Sequence, residues 1–410
     1  MECLLAAIAD DFTGGSDLAG MLRERGVKTL LLFGVPESVA AWKGRYEAVV
    51  VCLKTRSVAA GEARATAVAA FEAVQPLWPR QTLFKYCSTF DSTPQGNIGP
   101  VTEALLAATG AKFTVHLPAL PVNGRTQYLG HLFVNGVLLD ESPLRDHPLN
   151  PMTDANLVRW LGLQTERKIG LLPLRVPLRE VRGALREQAE ELQTAGVEMA
   201  LVDAVEDRDL ELAAEAFADL PLLCGGSGWG VALPGVWRRR GWMGGADSDV
   251  PVVEESVPTA VLAGSCSAMT LRQLRVFSAP QHTVDVVGLL RDREGELARL
   301  LAVEGRPLVV RSSAEKGAQQ EGAAAEIEWL FGELARRLVA EKGVRRLIVA
   351  GGETSGAVVS ALGVRAAEVI RVIDPGVPAL RTMGEPMLRL VLKSGNFGAE
   401  NFFAKAIENS

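Results

Sequence analysis

Short apolar runs alternate along this chain with stretches in which apolar residues recur every three or four positions. Residues 3–9 (CLLAAIA), 29–34 (TLLLFG) and 46–55 (YEAVVVCLKT) read as buried strands. Between the first two, Leu18, Met21 and Leu22 fall at helical spacing within 17–25, and an alanine-rich helix is expected over 61–74. The alternation continues through 111–120, 198–204 and 220–226. It then resumes at 259–267 (TAVLAGSCS), 282–287 (HTVDVV), 307–313, a long helix over 322–342, 346–356 (RLIVAGGETSG) and 389–398 (RLVLKSGNFG). Strands separated by helices join side by side in one direction, so the rhythm predicts an α/β protein with mostly parallel sheets flanked by helices.

Two stretches break the rhythm. Residues 118–156 are rich in Pro, Asn, Gly, Asp and His, with a hairpin expected at 133–138; an irregular stretch of that length inside a domain points to function. Residues 237–257 (WRRRGWMGGADSDVPVVEESV) carry no helical or strand period, which places a connector at 241–257 between a first domain, 1–240, and a second, 258–410.

Length agrees, since 410 residues exceed one ordinary core. A hydrophobic share of 48% with 22% charged residues is that of a globular protein in water. No run approaches the roughly 18 uncharged apolar residues that span a bilayer, and the N-terminus lacks a basic leader, so it reads as a first strand. Five scattered cysteines without a C-x-x-C pair argue for the cytoplasm and against structural zinc. A formal charge of −6 with dispersed basic residues disfavours nucleic acid as the main partner.

Four polar clusters stand out against this frame. In IADDFTGGSD an apolar strand ends on Asp10 and Asp11, where ligands gather in open α/β sheets; either carboxylate accepts sugar hydroxyls or a proton, or else only caps the next helix. Arg56, in LKTRS, offers a planar fork for a carboxylate or phosphate, or forms an exposed ion pair. The stretch FKYCSTFDSTPQGNIG sets Lys85, Ser88, Thr89, Asp91 and Ser92 before a Pro/Gly turn: a point charge for an anion and hydroxyls for a polyol. In the irregular segment, Arg125 is the strongest candidate and His131 a weak one.

The second half differs. GSCS, GGETSG and LKSGNFG each end an apolar strand in small residues, letting backbone N–H groups approach phosphate oxygens. None is a Walker A loop and none a dinucleotide fingerprint, which disfavours a dehydrogenase. CGGSGWG, at 224–230, fits a phosphate loop or tight packing equally well.

In this order, IADDFTGGSD, KYCSTFDSTPQGNIG, GSCS, GGETSG and LKSGNFG resemble the four-carbon acid sugar kinase family over essentially the whole chain. The resemblance implies a sugar-acid-binding first domain, a nucleotide-binding second domain and an active site in the cleft between them. It further implies phosphorylation by ATP of the 4-hydroxyl of a four-carbon sugar acid, in sugar-acid catabolism. CSTFDSTPQGNIG is closest to the 3-oxo-tetronate 4-kinase branch; threonate kinases carry a K-x-D-S-T-x-R-G form there, and threonate or erythronate 4-kinase is the alternative reading. Carried over, the acid-sugar site comprises Asp11, Arg56, Lys85, Ser88, Thr89 and Asp91, with Asp10 and Arg125 as neighbours. Arg56 or Lys85 would hold the carboxylate, and Asp11, with Asp91 second, would take the proton. The ATP site comprises Ser265 and Ser267, Gly351, Gly352, Glu353 and Thr354, and Gly395 to Gly398. Mg2+ is expected with ATP, although no dedicated metal motif is present. A non-catalytic sugar-acid or nucleotide sensor is the rival of another class, and the helix-rich surface permits a homodimer without demanding one.

Overall fold

Runs without a polar break, such as LAAIA and AVVVC, form strands covered on both faces, as parallel sheets require; in the computed structural model both are buried at every position. The structure describes residues 1–147, 150–174, 183–243, 257–312 and 322–410. They fall into two compact units, Met1–Asp247 and Ser248–Ser410. The connector expected at 241–257 lies outside the described residues except at its ends.

The first unit contains β1 (Leu5–Ala9), β2 (Thr29–Phe33), β3 (Ala48–Cys52), β4 (Gln81–Lys85), β5 (Thr114–Leu117), β6 (Arg125–Tyr128), β7 (His131–Val134), β8 (Val137–Leu138), β9 (Ile169–Leu172), β10 (Met199–Val202) and β11 (Leu222–Gly225). Eight of them form a parallel sheet in the order β2-β3-β1-β4-β11-β5-β10-β9. Its register sets the chemistry. Ala9 pairs with both Cys52 and Lys85, and Gly225 pairs with both Lys85 and Leu117. Strands β1, β3, β4, β11 and β5 therefore finish level, and every loop that follows them leaves the same edge.

The helix expected at 17–25 instead spans Phe12–Glu24. Asp11, in extended geometry, caps it by accepting the Gly14 N–H at 3.0 Å. The two glycines do not delay it, because close packing overrides their poor propensity: a Cβ on Gly15 would lie 2.3 Å from Cys52 Sγ. The segment 118–156 is more regular than its composition suggests, since β6, β7 and β8 form an antiparallel sheet. Asn135 and Gly136, with φ of +52° and +81°, make its tight turn. One buried carboxylate anchors that sheet to the end of β10. Asp203 accepts from Gln127 Nε2 (3.1 Å), Leu129 N (2.6 Å), Gly130 N (2.9 Å) and Leu174 N (3.1 Å).

Strand β5 carries a histidine with no exposure. His116 Nδ1 lies 3.0 Å from Tyr86 Oη, and burial pulls its pKa from 6.5 down to about 3. Between those values the unfolded chain binds a proton that the native state refuses, so stability falls as pH falls across that window. The first unit is expected to lose roughly 1.5 kcal/mol between pH 6.5 and 5 through this residue. Urea titrations at the two pH values, on the native protein and on His116→Gln, measure it; equal pH slopes would show that His116 titrates normally.

The second unit contains β12 (Thr259–Ala263), β13 (Gln281–Thr283), β14 (Leu308–Arg311), β15 (Arg346–Ala350), β16 (Ala366–Asp374), β17 (Val377–Thr382) and β18 (Arg389–Lys393). They lie in the order β13-β14-β12-β15-β18-β17-β16. The first five are mutually parallel, whereas β17 runs antiparallel to both its neighbours. The strand expected at 282–287 ends early, because Asp285 accepts the Gly288 N–H and starts the helix Val286–Arg291. The long helix spans Ala323–Glu341. Ala350 pairs with both Ala263 and Lys393, so β12, β15 and β18 also finish level.

Candidate active site

At the level edge of the first unit, residues far apart in sequence converge on one guanidinium. Arg56 gives Nε to Asp10 Oδ2 at 3.0 Å and Nη2 to Asp10 Oδ1 at 2.7 Å and Asp11 Oδ1 at 2.6 Å. Its Nη1 reaches Asp91 Oδ2 only at 3.5 Å. Burial and the two aspartates act on Arg56 in opposite directions, and the aspartates prevail, holding its pKa well above the usual arginine value. Burial pushes the Asp10 carboxyl up, partly offset by Arg56. Burial also works on Asp11, but Arg56, Lys85, the Thr13 hydroxyl and the Gly14 N–H together hold that carboxyl below its usual range.

Neighbouring side chains hold these groups in place. Asn97 Nδ2 donates to Thr55 O (2.7 Å), Val58 O (2.9 Å) and Arg56 O (3.2 Å), folding the loop after β3 over the edge. Asp91 follows Phe90, whose φ of +53° is unfavourable for a bulky residue. The conformation is held by the Phe90 N–H on Cys87 O at 2.9 Å and by the ring standing edge-on to Tyr86 at 5.3 Å. Beyond Asp91, Gln164 Nε2 donates to Ser92 Oγ (2.9 Å) and Thr93 O (2.7 Å), and Trp160 Nε1 to Ser92 O (2.9 Å). Ser92 is thus occupied in pinning the turn.

Lys85 is buried and donates to Tyr86 O at 2.9 Å. An ammonium has three N–H groups, and this is its one partner among the described residues. A Cβ on Gly14 would meet Asp11 Oδ1 at 2.3 Å and Lys85 Nζ at 3.0 Å, so glycine is what leaves room for both side chains. Ser88 and Thr89 are buried in the same turn, with Thr89 Oγ1 3.0 Å from Cys87 Sγ. Arg125 opens β6, within electrostatic reach of Cys87 and Asp17. His131 is bound to Leu129 O at 2.9 Å in the small sheet. The glycines of CGGSGWG serve packing: a Cβ on Gly225, Gly226 or Gly228 would fall 2.2, 2.7 and 2.5 Å from the carbonyl oxygens of Leu117, Pro118 and Ala119.

The second unit brings its three small-residue turns together. Ser265 N donates to Ala350 O (3.0 Å) and Gly351 N to Lys393 O (2.8 Å), linking the ends of β12, β15 and β18. Ser267 caps the helix Ala268–Val276 and donates to Gly395 O at 2.6 Å. A Cβ on Gly264 would lie 2.0 Å from Thr354 Oγ1, and one on Gly395 2.5 Å from Ser265 Oγ. Gly351, at φ +128°, starts the helix Gly352–Ala361, whose N-terminus faces out of the edge with Glu353 exposed and Thr354 buried. Small residues and helix N-termini at a strand edge are the arrangement that lets backbone N–H groups approach an anion.

Two further residues of this edge, Lys393 within LKSGNFG and Gln273, are not among the candidates above. Lys393, the last residue of β18, is fully buried and donates to Gly395 O (2.9 Å), Ser394 O (3.0 Å) and Thr270 Oγ1 (3.0 Å). Gln273 Nε2 donates to the carbonyls of Phe397, Gly398 and Ala399 at 3.0, 3.0 and 2.9 Å. The signal for Lys393 was present: like Lys85, it closes an apolar parallel strand. Among the described residues no group of three or more His, Cys, Asp or Glu is placed to hold a metal ion. The three carboxylates of the first unit surround a guanidinium instead.

Two family profiles match, a sugar-binding N-terminal domain over 5–233 and a nucleotide-binding C-terminal domain over 260–403. A 3-oxo-tetronate kinase of Pseudomonas savastanoi pv. phaseolicola is 44% identical, with 99% of this chain and 97% of that protein covered. One from Pseudomonas fluorescens is 46% identical, covering 98% and 96%. Among solved structures, one from Salmonella typhimurium LT2 is 41% identical with a TM-score of 0.85, covering 98% of both chains.

Proposed function

The chain belongs to the four-carbon acid sugar kinase family, and from that premise we propose how its residues move a phosphoryl group from ATP to the 4-hydroxyl of a 3-oxo-tetronate. The activity is that of a 3-oxo-tetronate 4-kinase, an alcohol-accepting phosphotransferase whose second unit binds the nucleotide. The observation that carries this reading is the likeness to 3-oxo-tetronate kinases through nearly the whole chain, across both polar edges.

Phosphoryl transfer asks for alignment and charge neutralisation more than for covalent help. We assign the substrate carboxylate to Lys85, which keeps donors to spare, rather than to Arg56, whose fork is filled by Asp10. Ser88 and Thr89 supply hydroxyls for the sugar, with Arg125 at the margin. Asp91 orients the 4-hydroxyl and takes its proton as the new O–P bond forms and the bond to the ADP oxygen breaks. Asp11 is the weaker base. Both its oxygens are engaged, and an acid held below its usual range gives little drive to proton transfer. The phosphates of ATP lie against Ser265, Ser267, the 351–354 turn and Gly395 to Gly398. Mg2+ would be carried on the phosphate oxygens with few protein ligands, in keeping with its preference for water and phosphate. No helix among the described residues is long and apolar enough to cross a membrane. A cytoplasmic location is proposed from the five unpaired cysteines.

Coupled measurement of ADP release with 3-oxo-tetronates, threonates and erythronates tests the reading. The fastest release is expected with a 3-oxo-tetronate. Release only with threonate or erythronate would move the substrate to the neighbouring branch; binding without release would make the protein a sensor.

A further inference from the structure

We propose that Lys393 is a positioning residue for nucleotide binding: held beneath the 394–398 turn, it gathers backbone carbonyls inward and so turns the N–H groups of Gly395 and Asn396 outward as a phosphate cradle. The inference rests on the ATP-using reading above and deepens it.

Three observations support it. The carbonyls of Ser394 and Gly395 both point at Lys393 Nζ, at 3.0 and 2.9 Å. In a planar trans peptide the carbonyl and the following N–H point in opposite directions, so the N–H groups of Gly395 and Asn396 face away from the lysine. Consecutive N–H groups turned to one side make a concavity that binds anions. The ammonium also reaches beyond its own turn. It donates to Thr270 Oγ1 at 3.0 Å, and that hydroxyl and Ser267 Oγ both donate to Gly395 O, at 2.8 and 2.6 Å. Gly395 O is thus held from three sides, by the β18 lysine, by the last serine of GSCS and by Thr270 beyond it. Finally, a Cβ on Gly395 would lie 2.5 Å from Ser265 Oγ and 3.0 Å from Ser267 Oγ, so the turn packs closely on GSCS and leaves no room for a side chain at that position.

A lysine fully withdrawn from solvent is costly unless its donors are satisfied. Here all three are, yet burial still draws its pKa down to about 7. A polyphosphate on the far side of the turn would favour the charged form and tighten the same three bonds.

Calorimetric titration of the full chain with ADP, and separately with a sugar acid, tests the assignment. Lys393→Met is expected to raise the ADP Kd roughly 10- to 100-fold, as loss of charge-assisted hydrogen bonds does, while leaving the sugar-acid Kd within about twofold. Thr270→Val should weaken ADP roughly tenfold, and Thr270→Ser, which keeps the hydroxyl, should restore it. A folded Lys393→Met protein that binds ADP within about threefold of wild type overturns the proposal. If that variant does not fold, equal ADP affinity in Thr270→Val and Thr270→Ser overturns it. Wild type that binds ADP but releases none from ATP with any acid would remove the kinase reading and leave this test standing. Wild type that binds no ADP would end both.

Discussion

Replacing Arg56 by methionine is expected to lower kcat/KM at least about a thousandfold and to destabilise the first unit by about 3–5 kcal/mol. The reason is geometric. One guanidinium joins Asp10 and Asp11 and reaches Asp91, and its removal leaves three carboxylates crowded at an edge where Asp10 is almost fully buried. Stranding buried charge costs far more than the pair itself contributes. Activity should fall with stability, because the same bonds aim the carboxylates at the substrate. Arg56→Lys should recover only part of each loss, since a point charge cannot span three acids at fixed angles. The deficit of Arg56→Met should shrink as pH is lowered from 7 towards 5, where unpaired carboxylates accept protons. Urea unfolding and steady-state kinetics read both effects; a variant within 0.5 kcal/mol and about tenfold of wild type would mean that the cluster contributes little.

The second large effect separates two aspartates. Asp91→Asn is expected to lower kcat by about 10²- to 10⁴-fold with little change in KM, as loss of a proton acceptor does. Asp11→Asn should cost about tenfold or less, because an asparagine still caps the helix and the lost charge acts through Arg56. The prediction rests on occupancy: Asp11 accepts from Gly14, Thr13 and Arg56, whereas Asp91 has, among the described residues, one long contact at 3.5 Å. If Asp11→Asn proved the more damaging in kcat, the proton would go to Asp11 after all.

The strand rhythm made the α/β architecture legible, because runs such as AVVVC leave few alternatives. Helix starts were less legible. The helical spacing begins only after the glycines at 14 and 15, and the packing of Gly15 on Cys52 shows why the helix runs through them. Asp10, Arg56 and Asp91 could each be marked as polar residues at strand ends. That they meet depends on the register of β1, β3 and β4, a long-range property that no local pattern encodes. Supporting residues were the least visible: Asn97, Gln164 and Gln273 act through backbone carbonyls, which have no sequence signature. Lys393 is the instructive omission. TLFK and LVLK end the same way, but only the first is followed by a dense run of hydroxyls.

The turn after β18 is fastened by its carbonyls. Lys393 holds those of Ser394 and Gly395, and Gln273 holds those of Phe397, Gly398 and Ala399. Five carbonyl bonds hold such a turn, yet the amide protons of Gly395, Asn396 and Gly398 have no acceptor among the described residues. Deuterium uptake, which senses whether an amide proton is bonded, would therefore be fast there and resemble that of a loose loop. Fastening and protection part company at this turn, and a nucleotide that supplies acceptors would slow uptake while the carbonyl bonds stay as they are.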